Sequence, residues 1–171
     1  GGRSPRPGRI GERAVLMAMR DRPRRPGLAW LLVAGQCLAA LPAWADNRVA
    51  VIAAAGTPIQ AIGADDLASL FRRKKQFLAG QKVEPINLPA QHPLRRHFSQ
   101  QVLHKTPEEL EDYWREMYFN GVNPPFVLAS EEAVIRFVAG TPGAVGYVSQ
   151  CAVDRRVVVV MWIEGGPGCS K

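Results

Sequence analysis

Two apolar periods alternate along the chain beyond residue 46. Residues 48–56 form an unbroken apolar run that ends at Gly56-Thr57-Pro58, the pattern of a strand covered on both faces. A short helix follows, capped by Ala64 or Asp65, with Leu67, Leu70 and Phe71 on its inner side. Ala79-Gly80-Gln81 reads as a turn, and residues 83–88 as a second strand. Pro93 opens a helix, where its missing N–H costs nothing, and Leu94, Phe98, Val102 and Leu103 line one face. Thr106-Pro107-Glu108-Glu109 is a capping box that starts a third helix. Its stripe of Leu110, Tyr113, Trp114, Met117 and Tyr118 is expected in the core. Ser130 caps a fourth helix, with Glu131 and Glu132 in its first turn and Val134, Ile135, Phe137 and Val138 facing inward. Residues 144–148 and 157–162 are the last two strands, separated from that helix by the turn Thr141-Pro142-Gly143. About four strands and four helices in alternation argue for a layered α/β domain.

The first 45 residues follow a different rule. Arg20, Arg22, Arg24 and Arg25 precede an apolar run over residues 28–41 and an Ala43-Trp44-Ala45 cleavage site. That sequence reads as a leader and secretory signal over 1–45, with an uncleaved anchor as the alternative. Met17 and Met19 are both candidate starts. The domain then covers 46–163, and the Gly-rich residues 164–171 read as a flexible tail. The charge divides in the same place. The whole chain is +7, but eight arginines against Glu12 and Asp21 belong to 1–45. From Asp46 onward 14 basic residues meet 13 acidic ones, which gives no reason to expect nucleic acid as a partner.

Export would remove Cys37 and leave Cys151 and Cys169 in an oxidising compartment, as a disulfide or as two thiols. His92, His97 and His104 show no metal-ligand spacing with them, so neither metal nor cofactor is expected. No nucleophile elbow, zincin or phosphate-loop motif occurs, and the carboxylates sit where helix capping explains them. The chain reads as a non-enzyme. Its candidate chemistry is anion binding. The loop containing Gln91 and His92 feeds the start of the Pro93 helix, where backbone N–H groups and the helix dipole favour an anion, and Arg95 lies within the same turn. The plainer alternative is a strand-loop-helix connection with solvated arginines.

The ordered set Phe71, Lys74-Lys75, residues 83–87, Pro93-Leu94-Arg95-x-x-Phe98, Tyr113-Trp114 and Thr141-Pro-Gly-Ala-Val-Gly-Tyr-Val148 resembles the phosphate-binding-protein-like group of type 2 periplasmic binding proteins. The last segment is similar to that group's Pro-Gly-Ala-Ile-Gly-Tyr signature. The resemblance covers about residues 48–150 and implies a sandwich equivalent to one lobe of such a protein. It implies an exported, periplasmic solute binder for phosphate or a related oxyanion, with an ABC transporter or another envelope protein as partner and no membrane insertion after cleavage. It adds Gly143, Gly146 and Tyr147 to Gln91, His92 and Arg95 as ligand-binding candidates. Two departures stand out. The chain has room for one lobe only, and the group's Arg-x-Asp-x-Ser-Gly-Thr run is replaced by Asn87-Leu-Pro-Ala-Gln-His-Pro-Leu94. The alternative implied is an interaction domain that kept the fold and lost the ligand.

Signal cleavage after Ala45 predicts Asp46 as the first residue of the exported protein. Mass spectrometry of the envelope fraction checks this, and an intact membrane-bound leader contradicts it.

Overall fold

The computed structural model describes residues 47–169. The chain divides into two units, Gly1–Pro42 and Ala43–Lys171, and the fold is that of the second; the expected signal lies outside the described residues. No helix among the described residues is long and apolar enough to cross a membrane.

The apolar run becomes β1 (Val49–Ala54), the second-last strand of a five-stranded sheet ordered β5-β4-β6-β1-β7. These strands are β4 (Glu84–Asn87), β5 (Phe126–Val127), β6 (Ala144–Ser149) and β7 (Val157–Ile163). Val49 to Ala53 are at most 1% exposed. Yet β1 runs antiparallel to both β6 and β7. An unbroken apolar strand therefore reports cover on both faces, not parallel neighbours. Parallel pairing is confined to β4, with β5 on one side and β6 on the other. A separate hairpin joins β2 (Phe77–Leu78) to β3 (Gln81–Lys82) through Ala79 and Gly80, both at positive φ. The hairpin and β5 were not foreseen, because two-residue strands are too short to show a period.

Four helices accompany the sheet: α1 (Ala64–Phe71), α2 (Pro93–Leu103), α3 (Glu111–Phe119) and α4 (Glu131–Gly140). The cap of α1 is Gly63 rather than Ala64 or Asp65, and its aspartates occupy the first turn instead, where the helix dipole favours them. Ser130 caps α4 as expected, its Oγ accepting from the Ala133 N–H at 3.2 Å, and Val134, Ile135 and Val138 are buried. The capping box also forms: the Thr106 N–H donates to Glu109 and the Glu109 N–H to Thr106 Oγ1. The chain after it is a set of turns, and α3 starts only at Glu111. Only Leu110 of the aromatic stripe is buried; no residue of α3 is. Apolar periodicity finds a face but not what covers it.

The C-terminal residues are tied where glycine content suggested fraying. A disulfide links Cys151 and Cys169, with Cα atoms 6.0 Å apart. The Gly166 N–H donates to the Asn47 carbonyl, and His97 Nε2 lies 2.9 Å from the Glu164 carbonyl.

Gly146 shows how closely α4 sits on β6. A Cβ there would lie 2.5 Å from Val134 Cγ1 and 3.4 Å from Val138 Cγ2. Both neighbours are fully buried and cannot move aside. Gly146→Ala is expected to cost about 1–3 kcal/mol by overpacking, read as a lower melting temperature. An unchanged melting temperature would mean that α4 is free to lift.

Candidate anion site at the carboxyl end of β4

The chain leaves β4 at Asn87, passes Leu88 and Pro89, and enters α2 at Pro93. The carboxyl ends of parallel strands, where a helix starts, are where open α/β sheets bind ligands. The start of α2 is built as the sequence suggested, with one consequence for its amides. The His92 N–H donates to the Pro89 carbonyl at 2.9 Å. Pro93 has no N–H, and the Leu94 N–H donates to His92 Nδ1 at 3.3 Å. The helix therefore caps itself with His92 and keeps its dipole but commits most of its first amides.

Arg95 departs from expectation. It is 7% exposed, not solvated, and its Nη1 is buried with no hydrogen-bond partner among the described residues. Its charge is near enough to the Tyr147 hydroxyl to pull that group's pKa down against the effect of burial. Arg96, one position on, is exposed and pairs with Glu108. The helical turn explains the contrast: Arg95 shares the inner face with Leu94, Phe98 and Ser99, and Arg96 is rotated about 100° away. Ser99 Oγ, one turn below Arg95, is likewise buried without a partner among the described residues.

Tyr147, on β6, is fully buried. Its hydroxyl donates to Asn87 Oδ1 at 3.2 Å and accepts the Leu88 N–H at 3.3 Å. Its ring stacks on Phe98 of α2, with centroids 4.0 Å apart and planes 5° from parallel. Tyr147 thus ties Asn87, Leu88 and Phe98 together. Of the other sequence-derived candidates, Gln91 and His92 lie in the loop, exposed and half-buried. Gly143 and Gly146 do not join them. Ala144 pairs with Glu84 at the start of β4, so Gly143 lies at the opposite end of the sheet. Its positive φ and a Cβ position only 2.2 Å from the Lys82 carbonyl explain it as a turn residue. Gly146 is the packing contact beneath α4. Strand direction, which the sequence does not encode locally, separates these residues from the loop.

Asn87 and Ser99 are buried polar members of this region that the sequence does not single out, because both lie within apolar-periodic segments. A cavity of about 260 Å³ lined by Gly56, Thr57, Pro142 and Gly143 lies at the far end of the sheet, away from Arg95. Another of about 240 Å³ opens between α1, α2 and β7 beside Asp65 and His104. Among the described residues no cluster of His, Cys, Asp and Glu suits a metal ion.

A buried guanidinium without a carboxylate is costly to a fold, and its removal need not destabilise. Arg95→Met is therefore expected to leave the melting temperature unchanged or raise it, by up to about 2 kcal/mol of stability. Arg96→Ala should stay within about 0.5 kcal/mol. Tyr147→Phe should cost about 1–3 kcal/mol, because Asn87 and the Leu88 N–H lose a buried partner. Burial pushes the Tyr147 hydroxyl above its ordinary pKa of 10.0, against the opposing pull of Arg95. The folded state then keeps a proton that the unfolded chain releases. Its contribution is whole below pH 10 and is lost as pH rises above it. Thermal denaturation of the three variants, and alkaline denaturation of wild type against Tyr147→Phe, test these points; a large loss in Arg95→Met would make Arg95 a structural residue.

No protein-family model and no curated protein sequence matches the chain. Solved structures do. An ABC-type phosphate transport receptor from Vibrio cholerae aligns with a TM-score of 0.56 at 19% identity, covering 67% of this chain and 46% of the receptor. A protein from Clostridium perfringens, described as a phosphate ABC transporter substrate-binding protein with bound phosphate, aligns with a TM-score of 0.55 at 19% identity, covering 67% and 45%. The chain spans about half the length of these structures. The domain therefore shares its α/β fold with about half of each of these phosphate transport proteins.

Proposed function

We propose that this domain is a non-enzymatic, exported solute-binding protein that takes phosphate or a related oxyanion at the start of α2. The observation that carries the reading is Arg95, a buried guanidinium at a helix N-terminus with no carboxylate beside it and one nitrogen without a partner among the described residues. An oxyanion supplies what that group lacks: full negative charge and acceptors suited to a planar fork. His92 and Gln91 form the loop next to it, and Tyr147 acts through Arg95 and Asn87 as a positioning residue. The fold supports the same reading, since the solved structures that share it are described as phosphate receptors. A periplasmic location and an ABC transporter as partner belong to this proposal. So does the competing role, an interaction domain without a ligand.

Calorimetric titration of the full chain with inorganic phosphate and with sulfate at millimolar concentration separates the two. Binding is expected in wild type, accompanied by a rise in melting temperature, because a ligand that binds only the folded state stabilises it. Arg95→Met should weaken it by about 1.5–3 kcal/mol, the scale of a hydrogen bond to a charged group. Arg96→Ala should bind as wild type. No heat and no thermal shift would favour the interaction domain, and equal losses in both variants would replace a defined site by a diffuse positive field.

A further inference from the structure

We infer that the anion site selects fully ionised oxyanions of the sulfate class over oxyanions that carry a proton, such as hydrogen phosphate. This rests on the site proposed at the start of α2 and narrows its ligand. The ground for it is the direction of the hydrogen bonds around that site. The Leu88 N–H can only donate, and its acceptor is the Tyr147 hydroxyl at 3.3 Å. The hydroxyl's own hydrogen goes to Asn87 Oδ1 at 3.2 Å. That relay fixes the Asn87 amide: its oxygen faces Tyr147, and its NH2 branch is left as a donor. Asn87 is 3% exposed, and its Nδ2 has no hydrogen-bond partner among the described residues.

A second relay fixes His92. The Leu94 N–H donates to its Nδ1 at 3.3 Å, so the neutral ring carries its hydrogen on Nε2. Nε2–H is then a donor as well, and it has no partner among the described residues. Arg95, three positions on, supplies Nη1, buried and equally without a partner. Arg95 and Asn87 have a neighbour in common: the Tyr147 hydroxyl bonds Asn87, and the Arg95 charge pulls its pKa down. The free nitrogens of the site are thus all donors. An ionised acceptor to match them is missing among the described residues. The buried polar side chains are Asn87, Arg95, Ser99 and Ser149, with no carboxylate among them. Glu84 and Glu108, on the adjoining segments, are held by Arg73 and Arg96. Ser99 Oγ is neutral and can serve either way. Sulfate meets such a set with acceptor oxygens only. Hydrogen phosphate brings a P–O–H group, a donor facing donors, and must turn that oxygen to water and give up one bond.

Calorimetric titration of the full chain with sulfate, selenate, phosphate and arsenate, at matched ionic strength and mildly alkaline pH, tests this. All four are then chiefly dianions, and only the last two carry a proton. Phosphate matches sulfate in size and arsenate matches selenate, so size and protonation separate. Sulfate and selenate are expected to bind about tenfold tighter than their protonated counterparts, the scale of one hydrogen bond to a charged group. Asn87→Asp keeps an oxygen for the Tyr147 hydroxyl and replaces the NH2 donor by an ionised acceptor. It should reverse the order, with the ratio of affinities as the readout. Equal affinities, a ranking by size, or tighter binding of phosphate and arsenate would overturn the inference and leave the proposed anion site standing. So would a folded Asn87→Asp with the wild-type ratio. The wild-type ranking decides by itself if that variant does not fold. No heat with any of the four anions removes the site, and this selectivity with it.

Discussion

The hydroxyl of Tyr147 holds the site to the fold. It sits at the middle of the sheet on β6, out of water, and a buried hydroxyl must be satisfied. Its partners are Asn87 Oδ1 and the Leu88 N–H, the last residue of β4 and the first of the loop. The ring below that hydroxyl stacks on Phe98, and Phe71 of α1 closes the cluster with its centroid 4.6 Å from Phe98. Ring pairs of this kind contribute about 0.5–1.5 kcal/mol beyond their burial. One side chain thereby sets the exit of β4, the seat of α2 and the neighbour of the Arg95 guanidinium.

This arrangement decides which charges matter. Arg95 and Arg96 are adjacent in sequence and chemically identical, yet one is buried with Leu94, Phe98 and Ser99 and the other reaches Glu108 in solvent. A surface pair such as the latter contributes little. A guanidinium held in the interior without a carboxylate is a liability to stability, and such liabilities are tolerated where function uses them. The structural cost of Arg95 and its suitability for an anion are the same physical fact.

Much of this was legible in the sequence because it is local. The Pro93 helix start, the Ser130 cap, the capping box at Thr106 and the fully covered β1 depend on a few consecutive residues, and each is present. The loop between β4 and α2 was legible for the same reason. What failed was non-local. Strand direction put Gly143 at the opposite end of the sheet from Gln91 and Arg95. The burial of Arg95 required knowing that β6 brings a tyrosine beneath it. The exposure of α3 required knowing that none of its residues is buried by the other described elements. Periodicity reports the shape of a segment, whereas burial depends on its neighbours.

The same geometry limits what an anion at the proposed site would have to hold on to. Helix N-termini usually bind anions through several free amides. Here the His92 N–H is spent on Pro89, Pro93 has none, and the Leu94 N–H is spent on the His92 ring. The dipole remains, but it contributes only about 0.3–1 kcal/mol at an exposed end. In the proposed site, discrimination and affinity would then rest chiefly on Arg95, which shares the inner face of α2 with Phe98. A site so constructed does not degrade gradually. By the proposed reading, removing the guanidinium costs the anion and spares the fold, whereas removing the tyrosine hydroxyl weakens both, because Asn87 and the Leu88 N–H lose a buried partner.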